Sequence, residues 1–220
     1  MKNKTRGIFR LSLGALLSFF ILQSSCGLRA GALSDEPLVD LKTVEPTIII
    51  ELRYATNRNV TGQPIYSAGT QCLVRRGVAE RLRAAQYILR QRGFGLKVWD
   101  AYRPVSAQRA LFEFTKNAHF VANPDKLALH TWGVAVDATL VDAQGKAVPM
   151  PTDFDEFSPA AAMHYVGENG IVAQNLKLLQ GAMGGGGFYG MHGEWWHFIA
   201  HNWRDYGPVS APPEEMTKRE

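Results

Sequence analysis

Apolar positions recur along this 220-residue chain with two periods, and together they outline a small set of elements. Residues 47–52 (TIIIEL) are rich in β-branched side chains and predict a strand. Residues 57–66 carry Asn, Gly and Pro and predict a loop. Over residues 74–92, Val78, Leu82, Ala85 and Leu89 keep the three- and four-residue spacing of one buried helical face, and Gly93 is placed to cap the end. Residues 96–99 form a short buried strand, and Ser106 is positioned to cap a helix running to Thr115. In residues 133–140, Val134, Val136, Ala138 and Leu140 share one face, while Ala135, Asp137 and Thr139 share the other. The first face packs on a core, so Asp137 points away from it. Ser158 and Pro159 predict a helix start over residues 159–165. A second helix is expected over 172–183, ended by the glycine run 184–187, with closing strands at 188–189 and 195–200. Residues 33–44 show no clear period and read as a loosely ordered lead-in. No repeat or low-complexity linker appears. The elements lack a regular βαβ rhythm, so the expectation is a single α+β domain with a mainly antiparallel sheet flanked by helices.

The N-terminus follows a different pattern. Lys2, Lys4, Arg6 and Arg10 precede a twelve-residue apolar run, 11–22, too short for a span of roughly 20 residues. Small residues follow, which is the layout of a secretory signal. Ala30-Gly31-Ala32 offers a cleavage site that would start the mature domain at Leu33, leaving residues 33–220. Gln23-Ser24-Ser25-Cys26 offers a competing lipoprotein site, with Cys26 carrying a lipid anchor. The chain is therefore expected to be exported, to the periplasm or to a membrane anchor.

Removing residues 1–32 changes the charge picture. That segment holds five of the 24 basic residues and none of the 20 acidic ones, so 19 basic and 20 acidic residues remain and the net charge is −1. The basic character belongs to the leader, and a nucleic-acid partner, which needs a concentrated basic surface, is not expected. The remaining 188 residues suffice for one sizeable core. Cys72 is then the lone cysteine, so no intramolecular disulfide can form, and a buried structural thiol is the expected state.

Candidate chemistry lies in three strings. HTWGVAVD contains His130 and Asp137, GEWWHF contains Glu194 and His197, and WDAYRP contains Arg103. A catalytic zinc takes three N or O ligands and keeps a fourth position open. His130, Asp137 and His197 supply such a set, and Gly133 permits a sharp entry into the strand. Glu194 can serve as the base for a metal-activated water. On a flat strand, residues three apart face opposite ways. Gly193 therefore suggests that Glu194 sits at a turn or strand end. Arg103 can stabilise the negative charge of amide hydrolysis, or simply pair with Asp100.

Together these strings resemble the VanX-type D-alanyl-D-alanine dipeptidases of the zinc D-Ala-D-Ala peptidase family. LRYATNRNVTGQPIY (52–66) and VPMPTDFDEF (148–157) are similar to further segments of that family. The resemblance implies a hedgehog/D-Ala-D-Ala peptidase-like fold and one Zn2+ per chain held by His130, Asp137 and His197. It also implies Glu194 as general base, Arg103 as stabiliser of the tetrahedral intermediate, and Tyr54 with Asp155 gripping the substrate ammonium. The reaction implied is cleavage of D-Ala-D-Ala, a small dipeptide, into two D-alanines, in a cell-wall turnover role. Alternatives are a carboxypeptidase acting on peptidoglycan stems and a non-catalytic zinc wall-binding module. Ala128 stands where the family commonly has Ser, which removes a hydroxyl from the substrate's surroundings.

Overall fold

The computed structural model describes residues 33–118 and 120–210. The proposed leader, Cys26 and His119 lie outside them.

A five-stranded sheet organises the domain, in the order β2 (Ile49–Ile50), β4 (Phe94–Asp100), β5 (Ala135–Asp142), β7 (Glu194–Ala200), β6 (Phe188–Met191). Only β2 against β4 is parallel; the other pairings are antiparallel. The α+β expectation holds. Helices α2 (Arg76–Arg90) and α4 (Gly170–Gly185) pack on each other and on this sheet. Val78, Leu82, Ala85 and Leu89 of α2 join Val134, Val136, Ala138 and Leu140 in one buried cluster. The helical period and the strand alternation thus bury their apolar faces against each other, which is the main source of stability. Among the described residues, no helix is long and apolar enough to cross a membrane.

Several expectations are corrected. Residues 33–44 are not a loose lead-in: β1 (Leu38–Asp40) pairs antiparallel with β3 (Leu73–Arg75), and α1 (Leu41–Val44) follows, capped by the Asp40 carboxylate. Leu41 is fully buried, an anchor too isolated in sequence to create a period. Val74 and Arg75 belong to β3 rather than to α2. Gly93 lies beyond the helix end, at φ +77°. Helix α3 (Val105–Thr115) starts after Pro104, so Ser106 lies inside its first turn and is not the cap. The helix expected over 159–165 shrinks to a 3-10 turn, Pro159–Ala161, and Ser158 makes no side-chain cap bond. Cys72 is buried as expected, and burial pushes its thiol pKa far above the ordinary value.

Candidate metal centre

Strand register brings the acidic and imidazole groups together. Asp137 on β5 is directly opposite Asp100 of β4 on one side and His197 of β7 on the other. Directly paired residues share a face of the sheet. All three therefore point the same way, opposite to the helix-covered apolar face of β5. A register shift between Val98 and Asp100 sets this alignment on the β4 side. Such bulges re-aim side chains at functional sites.

His130 arrives from the 3-10 turn Leu129–Trp132, which ends on Gly133 at φ +69°. A Cβ there would stand 2.6 Å from Leu38 Cδ2, so the turn needs glycine for both conformation and space. His130 Nδ1 lies 2.7 Å from the Ala101 carbonyl oxygen. A carbonyl only accepts, so Nδ1 carries the hydrogen and Nε2 keeps its lone pair. That Nε2 faces His197 Nδ1 at 3.1 Å, and His197 Nδ1 is 2.9 Å from Asp137 Oδ1. One donor atom from each of the three buried residues lies within 4.8 Å of the others. Two imidazole nitrogens and a carboxylate, one imidazole oriented by a backbone carbonyl, match the donor set and outer support of a zinc site. Burial would raise the Asp137 pKa, but His130 and His197 hold its carboxyl below the usual range.

Glu194 solves the three-residue spacing through an irregularity. The β6–β7 ladder shifts between Gly190, paired with Phe198, and Met191, paired with Glu194. The chain bends there, and Glu194 Oε2 comes to 3.9 Å from His197 Nδ1. Glu194 is buried, and that burial pushes its pKa up to about 8.

Arg103 is buried at the same site. Its Nε and Nη2 donate to Asp100 Oδ2 at 2.9 and 2.7 Å, and Nη1 donates to Gln108 Oε1 at 2.9 Å. The guanidinium carbon stands 4.8 Å from the Tyr54 ring centroid. Pairing with Asp100 and a place in the site turn out to be compatible: a guanidinium has five N–H donors, so capacity remains toward the pocket. Tyr54 Oη donates to Asp155 Oδ1 at 3.1 Å, and the Val60 N–H donates to Oδ2 at 3.0 Å. Asp155 sits at φ +59°, and burial lifts its pKa to about 7. Its backbone conformation is one that Asp tolerates better than most residues.

Tyr54, Arg103, Gln108, His130, Asp137, Asp155, Glu194 and His197 line one pocket of about 150 Å³, with Ala128 also in its wall. All seven singled-out residues are in it. The structure adds two residues: Gln108, in the pocket wall, and Tyr66, outside the lining, whose hydroxyl donates to Asp100 Oδ1 at 2.6 Å. The WDAYRP string, which holds both Asp100 and Arg103, predicts the ion pair between them, and the structure adds the Tyr66 hydroxyl as a further partner of Asp100. Gln108 has a weak signal: it lies four residues after Pro104, within the first turns of the helix that follows Arg103.

The family model described as D-ala-D-ala dipeptidase matches residues 34–204. A D-alanyl-D-alanine dipeptidase of Escherichia coli (strain K12) is 35% identical over 161 residues, covering 73% of this chain and 83% of that protein. One from Enterococcus faecium is 31% identical over 173 residues, covering 68% and 84%. Among solved structures, an LdcB LD-carboxypeptidase aligns over 80% of this chain and 71% of its own, with 16% identity and a TM-score of 0.46.

Proposed function

The chain belongs to the D-Ala-D-Ala dipeptidase family, and on that premise we propose that it hydrolyses D-Ala-D-Ala to two D-alanines at a single zinc held by His130, Asp137 and His197. The observation that carries this reading is the convergence, in one small pocket, of a three-donor cluster, a base carboxyl and a second carboxyl set apart from them.

When bound, the ion supplies Lewis-acid activation of the attacking water and of the scissile carbonyl. Glu194 takes the proton from that water and delivers it to the leaving amine. Its carboxyl, 3.9 Å from His197 Nδ1, is placed close enough to the metal cluster to serve both halves of that task. Arg103, locked by Asp100 and Gln108, presents fixed positive charge where the carbonyl oxygen becomes negative. Asp155, steadied by Tyr54 and the Val60 N–H, takes the substrate ammonium. An N-blocked substrate brings no such charge and leaves a buried carboxyl without its partner, which disfavours binding.

Export of the mature chain, either cleaved before Leu33 or lipidated at Cys26, is part of the same proposal. It supports a role on dipeptide released from the cell wall. N-terminal sequencing of the fractionated native protein checks it: a protein starting at Met1 in the cytoplasm ends the export reading.

A substrate panel tests the activity. Zinc-loaded mature protein is expected to cleave D-Ala-D-Ala and to cleave its N-acetyl form at least roughly 100-fold less efficiently, the scale of losing one buried charged contact. A preference for the N-acetyl form or for a stem pentapeptide would instead establish carboxypeptidase action. Chelation is expected to abolish turnover and added zinc to restore it.

A further inference from the structure

Two aromatic rings line the pocket and have no part in the chemistry above. Phe120 and Phe157 are stacked, with centroids 4.7 Å apart and planes at 15°. They come from separate segments. Phe120 lies between α3 and the turn that carries His130, and Phe157 lies two residues beyond Asp155. The Phe157 N–H donates to the Asp155 carbonyl at 3.0 Å, which ties the ring's backbone to the ammonium subsite. Trp196 backs Phe157, with centroids 6.5 Å apart. On the other side, Phe120 Cε1 is 3.8 Å from where a Cβ on Gly193 would stand, beside Glu194. The stack therefore links the base and the ammonium subsite along one wall.

We propose that the Phe120–Phe157 stack limits the side chain tolerated on the ammonium-bearing residue of the substrate to about the size of alanine. This rests on the reading that Asp155 takes the ammonium. The side chain of that residue branches from the carbon bonded to the ammonium nitrogen, so it lies close to Asp155, in the pocket that Phe120 and Phe157 also line. A pocket of about 150 Å³ offers little spare room. A larger side chain has to part the rings or shift Trp196, and close-packed aromatic contacts resist both. The stack thus selects by volume where Asp155 selects by charge.

The test compares kcat/KM for D-Ala-D-Ala, D-Leu-D-Ala and D-Phe-D-Ala in the zinc-loaded wild type and in Phe120→Ala and Phe157→Leu. All three substrates use the same metal ligands, Glu194 and Asp155, so a general loss of fold cancels in the ratios. The wild type is expected to favour D-Ala-D-Ala over D-Phe-D-Ala by roughly 100-fold, the scale at which apolar pockets discriminate. Each variant is expected to narrow that ratio at least tenfold, and narrowing in either supports the wall. Unchanged ratios in both variants, with the wild type still cleaving D-Ala-D-Ala, overturn the wall and leave the activity standing. A wild type that cleaves none of the three overturns the reading on which the wall rests.

Discussion

Replacing Glu194 by Gln keeps the side chain's size and removes its ability to take a proton. Because Glu194 is not among the three cluster donors, Glu194→Gln should retain zinc, measured by metal analysis, while kcat falls by roughly 10²- to 10⁴-fold. Loss of the metal together with the activity would reassign Glu194 to the ligand set. Asp155 and Glu194 also give the metal-free protein a pH signature. Burial raises both pKa values, to about 7 and about 8, above the ordinary carboxyl values of 3.8 and 4.5. A raised folded-state pKa means the fold prefers the protonated form. The stability contribution of each group is full below its unfolded pKa and is lost as pH rises through the folded value. Asp137, with a lowered pKa, has the opposite sign and acts below about pH 4. The Tm of the chelated protein should therefore fall between pH 4 and 8, and Asp155→Asn should flatten the part between pH 4 and 7. Asn accepts the same left-handed backbone, and it keeps both contacts if its Oδ1 accepts from the Val60 N–H and the Tyr54 hydroxyl turns to accept from Nδ2. A dependence of Tm on pH as steep in Asp155→Asn as in the wild type would remove Asp155 from this account.

At the scale of elements, irregular backbone is what converts ordinary strands and a turn into a site. The β4 and β7 register shifts aim Asp100 and Glu194, and the positive-φ turn at Gly133 delivers His130. Gly133→Ala forces a side chain into a left-handed conformation and against Leu38. It should cost about 1–3 kcal/mol, which calorimetry would register at roughly 2–4 °C per kcal/mol. Because His130 is in the same turn, zinc affinity by chelator competition should drop as well. A variant that loses stability but binds zinc as tightly as wild type would uncouple the turn from the metal. Propensity alone misjudged two elements nearby. Ser158-Pro159 has a helix-start signature, yet the chain turns away after Ala161, and Met163 and Gln180 instead tie the segment to neighbouring elements. Ser106 was displaced as a cap because Pro104, which lacks an N–H and has a fixed φ, already sets the entry into α3.

Across the whole molecule, Arg75 connects the ends of the described chain to the back of the site. It is almost fully buried, and its guanidinium donates to the carbonyls of Trp132, Glu36 and Gly207. Its own N–H donates to the Gly133 carbonyl at 3.1 Å. Arg75→Met leaves those buried acceptors short of donors, at a cost of roughly 3 kcal/mol or more. Urea melts should show the loss, and limited proteolysis should begin in residues 33–40, the segment held through Glu36. Initial cleavage elsewhere would argue against that tie. Nothing in the local sequence around Arg75 points to this role, since its partners lie 39, 57 and 132 positions away. The same distinction separates the two levels of information throughout. Periodicity and short motifs carried the main helices α2 and α4, the apolar face of β5, the α+β class and the candidacy of His130, Asp137, Glu194, His197 and Arg103, because these depend on contacts or chemistry local to a few residues; Tyr54 and Asp155 became candidates only through the family resemblance. The anchoring of residues 33–44, the truncation of the 159–165 helix, the bulges that turn Asp100 and Glu194 into the site, and the roles of Gln108, Tyr66 and Phe120 were decided only by tertiary structure. Each depends on cross-strand register or on packing between segments far apart in the chain, which no local pattern encodes.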